Sequence, residues 1–147
     1  MTRVALLDVN VLVALFDPDH IHHEAAHAWF ASNRRGGWAT CPVTENGLVR
    51  ILSNPAYAGA PGAPGGIVRS LIAFCASGGH VFWADEVSHR SPRLFRWAGP
   101  ATHRQITDIY LLGLAKKMGG RLATFDGSVP LAPVFGADAG HLEVIQA

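Results

Sequence analysis

At 147 residues, with 49% apolar and 16% charged side chains, the chain has material for one hydrophobic core, too little for two, and too much to remain globally disordered. A formal net charge of +1, with eight histidines counted neutral, excludes a broad field that would recruit nucleic acid or an anionic membrane, so any such binding needs a local patch. Cys41 and Cys75 form neither a metal knuckle nor a redox pair, and the N-terminus lacks a secretory pattern; the expectation is a single soluble domain over 1–147, with no membrane span, in a reducing cytoplasm.

Val4 to Leu7 is a short unbroken apolar run ending at Asp8, the pattern of a buried parallel strand whose C-terminal end points at a site. Asn10 to Phe16 follows at helical spacing, Asp17-Pro18-Asp19 breaks it, and a second helix is expected from about Ile21 to Asn33, stopped by Gly36-Gly37. Gly37 to Thr40 reads as a strand, Pro42-Val43-Thr44 as a turn with a capping hydroxyl, and Glu45 to Leu52 as a helix. The Pro-, Gly- and Ala-rich stretch from Asn54 to Gly66 is a loop long enough to suggest a role. Ile67 to Ala76 is expected as helix, His80 to Trp83 as strand, and Asp85 to Pro100 as irregular chain carrying Arg90, Arg93, Phe95, Arg96 and Trp97. Thr107 to Met118 has a strong helical stripe with Asp108 in its first turn and Lys116-Lys117 in its last. Arg121 to Thr124 makes a fourth strand before Asp126, and Leu142 to Ile145 an edge strand. Alternating strands and helices of this kind imply an α/β/α sandwich around a mostly parallel sheet.

Asp8 and Asp126 fall just beyond strand ends, while Glu45 and Asp108 fall in first turns of helices, places that converge on one crevice in an open parallel sheet. Taken singly, each acid is explained by helix capping or dipole compensation. Four carboxylates gathered together repel one another unless a cation compensates, and hard oxygen donors favour Mg²⁺ or Mn²⁺ over zinc. Such a site can polarise a phosphodiester and activate water for in-line attack.

The stretches LLDVNVLVAL, TCPVTENGLVRIL, TDIYLLGLA and LATFDGS resemble, in order and spacing, the four acidic motifs of PIN-domain ribonucleases of the VapC toxin type. The resemblance implies a PIN-like α/β/α fold, RNA as substrate, Asp8 and Asp108 as principal metal ligands, and Glu45 and Asp126 completing the acidic pocket. It implies Asn10 as a polar residue supporting the ligands, a small antitoxin that blocks the pocket, and a homodimer. Where that family often has Ser or Thr after the first acid, this chain has Val9. Thr44, Thr107 and Thr124 each precede an acid by one or two positions, where a hydroxyl caps a helix or orients a carboxylate; capping is the expectation for Thr44 and Thr107. Arg50 is open between contacting RNA, bridging to a carboxylate, and being an exposed helical side chain. Arg34-Arg35 and the basic and aromatic residues between Arg90 and Arg104 could meet phosphates and bases, or form a solvated face.

A second signal competes. His23-Glu24-Ala25-Ala26-His27 matches the His-Glu-x-x-His pattern of zinc proteases. Helical geometry places His20, His23, His27 and Arg34 on one face and Ala25, Ala26, Trp29 and Phe30 largely on the other, so the histidines are expected to face solvent. A haloacid-dehalogenase-like phosphatase needs a second acid where Asn10 stands, and a receiver domain needs an acidic pair after the first strand. A PIN fold serving only for interaction would have no need of four acids.

Overall fold

The computed structural model describes residues 3–59, 61–99 and 101–147. Positions 60 and 100, in the expected loop 54–66 and the expected irregular run 85–100, lie outside the described residues. Five short strands, β1 (Ala5–Leu7), β2 (Trp38–Thr40), β3 (His80–Phe82), β4 (Arg121–Thr124) and β5 (Leu142–Val144), form one sheet in the order β3-β2-β1-β4-β5. Every neighbouring pair is parallel, with Leu6 opposite Ala39 on one side and Leu122 on the other.

The pleat divides the core. Ala5, Leu7, Trp38 and Ala123 face helices α1 (Val9–Phe16), α2 (His23–Asn33), α3 (Pro42–Leu52) and α4 (Pro64–Cys75), whose Leu12, Phe30, Leu48 and Leu71 are buried with them. Leu6, Ala39 and Leu122 face the opposite layer, built from α5 (Ile106–Lys117) and the segments that supply Trp83, Leu94, Phe95 and Val134. The result is the expected α/β/α sandwich, with the sheet parallel throughout.

Two helices, α3 and α4, begin a full three residues earlier than the hydrophobic pattern predicts. Pro42 and Pro64 stand at the first turn of α3 and α4, where a missing N–H costs nothing and the fixed φ already suits a helix. Pro42-Val43-Thr44 is therefore the start of α3 and not a turn. Thr44 still caps, because its hydroxyl accepts from the Cys41 backbone N–H at 3.0 Å. The long connection before α4 is held at Tyr57, whose hydroxyl donates to Asp17 Oδ2 at 2.6 Å.

Edge strand β5 is fixed from behind by buried Arg121, whose Nε donates to Glu143 Oε1 at 2.7 Å and whose Nη2 donates to Asn33 Oδ1 at 3.1 Å. Trp29 Nε1 donates to the other Glu143 oxygen at 2.6 Å, so α2, β4 and β5 share one polar network.

Helix α3 approaches the start of α1 through Gly47, where an added Cβ would lie 2.7 Å from Val9 Cγ2. Val9 thus fills a slot on α3. Gly47→Ala is expected to cost about 1–3 kcal/mol in urea unfolding, and the Gly47→Ala/Val9→Ala double variant to lose less than the two single losses added. Strictly additive losses would show that this contact does not set the helix spacing.

Candidate active site

The chain runs outward from β1 through β2 to β3 and then returns to place β4 and β5 on the other side of β1. The order therefore reverses between β1 and β4, and a crevice opens beyond their C-terminal ends. Asp8 follows β1 directly, and Asp126 lies two residues after β4.

Asp8 is also the N-cap of α1, its side chain accepting from the Val9 N–H at 2.7 Å. Its other oxygen accepts from the Thr124 hydroxyl at 2.8 Å. Thr124 is fully buried and serves as the hub of this edge, accepting from Asn10 Nδ2 at 3.1 Å and from the Asp126 N–H at 3.0 Å. Asn10 returns along the same path, its Oδ1 accepting from the Phe125 N–H at 3.2 Å. Asp126 is oriented by Ser128, whose hydroxyl and N–H donate to Oδ1 at 2.6 and 2.8 Å. Asp108 enters from the first turn of α5, half-buried, and reaches hydrogen-bonding range of Asp126.

Three aspartates are thus brought to one edge, and their electrostatics reflect it. Burial pushes the Asp108 carboxyl up to about 6, and the Asp8 and Asp126 carboxylates push the same way. Burial also raises Asp8, against the hydrogen bonds from Thr124 and Val9 that favour its charged form. Asp126 is held below its ordinary value, chiefly by the two bonds from Ser128. Among the described residues no three acidic, histidine or cysteine side chains close on a common point as they stand. The donor set itself fits a hard divalent cation, being all oxygen and lacking any cationic group among those acting on Asp8 or Asp108.

Glu45 lies in the first turn of α3 as expected, but its carboxylate turns toward β2 and β3. There Oε2 accepts from the Thr40 hydroxyl at 2.7 Å, and His80 Nε2 lies 2.7 Å from the same hydroxyl. Because Thr40 donates to Glu45, His80 is the donor to Thr40. The hollow beside the aspartates, about 370 Å³, is lined from α3 by Asn46, Gly47 and Arg50 instead, and from the other side by Asp8, Thr107 and Asp108. Arg50, whose role the sequence left open, therefore lines the hollow. Thr107 does not cap α5, whose N-cap is Gln105; it is exposed on the wall of the hollow.

The histidine pair has another task. His23 Nδ1 lies 2.7 Å from the Ala14 carbonyl and His27 Nε2 lies 3.0 Å from the Leu15 carbonyl, and since a carbonyl only accepts, both rings donate. They satisfy carbonyls in the last turn of α1 that have no helical partner. His27 is exposed, as expected, whereas His23 is half-buried, and each ring has one nitrogen tied to α1; among the described residues no group of three acidic, histidine or cysteine side chains that could hold a metal forms around them.

Residues 5–131 match the PIN domain family. This chain belongs to that family. It is 43% identical over 145 residues to ribonuclease VapC39 of Mycobacterium tuberculosis, covering 96% of this chain and 99% of that one. It is 46% identical over 126 residues to ribonuclease VapC38 of the same organism, covering 86% and 87% respectively. Among solved structures, Mycobacterium tuberculosis VapC20, described as a toxin that cleaves the sarcin-ricin loop, superposes with a TM-score of 0.57 over 85% of this chain and 92% of that one. At 12% identity that likeness speaks for the fold alone.

The raised carboxylates of this PIN domain make a pH signature. Asp108 binds its proton more tightly folded than unfolded, so in the metal-free protein stability falls as pH rises from about 4 through about 6. Asp108→Asn is expected to flatten that slope in thermal melts collected between pH 4 and 7. An unchanged slope would mean that folding does not raise the Asp108 carboxyl.

Proposed function

We propose that this chain, a single PIN-like domain over 1–147, is a divalent-metal-dependent ribonuclease and the toxin of a toxin–antitoxin pair. The observation that carries the reading is the Asp108 carboxyl, half-buried between Asp8 and Asp126 and pushed up to about 6 by burial and by the other two carboxylates. The relatives' ribonuclease names support the same chemistry.

Asp8, Asp108 and Asp126 would hold Mg²⁺ or Mn²⁺. The chemistry a bound ion supplies is neutralisation of charge on the scissile phosphodiester and acidification of an attacking water. Thr124 keeps Asp8 Oδ2 in place, and Asn10 ties the start of α1 to the chain leaving β4. Arg50 meets phosphate charge from the α3 side of the hollow. Glu45 adds negative charge from α3 and is steadied by Thr40 and His80, while Thr44 fixes the helix start that carries it. In this reading the substrate is cellular RNA in the cytoplasm, and its cleavage inhibits translation and growth. The chain pairs as a homodimer, and a cognate antitoxin covers the hollow.

The test is cleavage of a mixed cellular RNA pool by the purified protein with Mg²⁺ or Mn²⁺, and with EDTA. Asp8→Asn and Asp108→Asn are expected to remain folded and lose cleavage, whereas Glu45→Gln and Thr124→Val lose about 10- to 100-fold. His23→Ala with His27→Ala should lower the melting temperature and leave cleavage near wild type. Metal-independent cutting, or full activity in both aspartate variants, would reject the assignment.

A further inference from the structure

Beside the carboxylate hollow lies a second one of about 210 Å³, walled by Val43, His89, Ile106, Thr107 and Tyr110. It shares Val43 and Thr107 with the first, so the two hollows adjoin, one beside the aspartates and the other against His89 and Tyr110. We propose that this second hollow is a nucleobase subsite, in which a base of single-stranded RNA next to the scissile phosphate stacks on His89. The inference rests on the ribonuclease reading and adds to it a place where sequence can be read.

The aromatic side is built in advance. The His89 ring lies 5.5 Å from each of the Phe95, Trp97 and Tyr110 rings, and Trp97 Nε1 donates to the His89 carbonyl at 2.9 Å. Phe95 is buried against Gly113 of α5, where an added Cβ would lie 2.5 Å from the Phe95 ring. The segment carrying His89 is thereby clamped to the same helix that carries Asp108. His89 remains exposed at the rim, and Ile106 is 37% exposed on the wall. Apolar Val43 and Ile106, the exposed His89 ring and the Thr107 hydroxyl suit a planar heterocycle with polar edges. Arg50 in the first hollow supplies positive charge for the backbone of the same strand.

Binding is measured by fluorescence anisotropy, in EDTA to prevent cleavage, using a labelled twelve-residue uridine oligoribonucleotide and an abasic ribose–phosphate oligomer of equal length. The wild type is expected to bind the base-bearing strand roughly five- to a hundredfold more tightly than the abasic one. His89→Ala is expected to remove that difference while leaving abasic affinity unchanged and the protein folded, with a melting temperature lowered by the lost ring contacts. Equal wild-type affinity for the two oligomers would overturn the subsite and leave the nuclease, which is tested by metal-dependent cleavage, standing. The same result follows if a folded His89→Ala protein keeps the full preference. Binding of neither oligomer, with no RNA cleavage in Mg²⁺ or Mn²⁺, would remove the ribonuclease reading and the subsite together.

Discussion

The carboxylate edge depends on the parallel pairing of β1 with β4. Leu7 lies opposite Ala123, and the Asp8 N–H extends the ladder by donating to the Ala123 carbonyl at 2.9 Å. That register places the Thr124 hydroxyl against Asp8, and from Thr124 the positions of Asn10 and Asp126 follow by direct hydrogen bonds. A slip of one residue in β4 would exchange its faces, sending Ala123 toward α5 and Leu122 toward α1, so the core and the site enforce the same alignment.

Folding gathers charge here at a cost that the hydrogen bonds offset only in part. Thr124 and Val9 favour ionised Asp8, and Ser128 favours ionised Asp126, yet burial works against both, and Asp108 is pushed up to about 6, first by burial and then by the Asp8 and Asp126 carboxylates. The scaffold therefore stabilises a local arrangement that is unfavourable by itself, which is the thermodynamic position the proposed cation site would have. The same logic explains why Thr124 is buried: a hydroxyl shielded from water holds a carboxylate more firmly than an exposed one.

Much of this was legible in the chain. Three-residue strands give little periodicity, but Val4 to Leu7 and Arg121 to Thr124 are each closed by a carboxylate at or near their C-terminal ends, and alternation with long amphipathic helices implies parallel order. The placement of Asp8, Asp108 and Asp126 at one edge follows from that topology. Glu45 shows where such reading stops. Its position in α3 was readable, but the direction of its side chain is set by Thr40 and His80, which lie on two other strands. The bonds of the histidine pair are illegible for the same reason, since the carbonyls of Ala14 and Leu15 belong to a neighbouring helix and leave no mark on the local pattern. Proline at a helix start is ambiguous locally, because Pro42 and Pro64 serve a turn as well as a first helical turn until the following residues are packed.

The run from Asp85 to Trp97 was readable only as irregular, and irregular it is, but it is not loose. Lys117 Nζ donates to the Glu86 carbonyl, the Arg96 N–H to the Pro133 carbonyl, and the Phe135 N–H to the Leu94 carbonyl, at 2.8–2.9 Å. Phe95 lies over Gly113, so the smallest residue of α5 receives one of the largest side chains of the segment. Backbone that satisfies its polar groups outside helices and strands is free to take shapes those elements forbid, while its anchors keep that shape fixed. Here the anchors run to α5 and the segment after β4, the two parts of the chain that also supply Asp108 and Asp126. Under the proposed ribonuclease reading the aspartates and the base subsite share these supports, so the distance between a reacting phosphate and a base held beside it would be set by the fold.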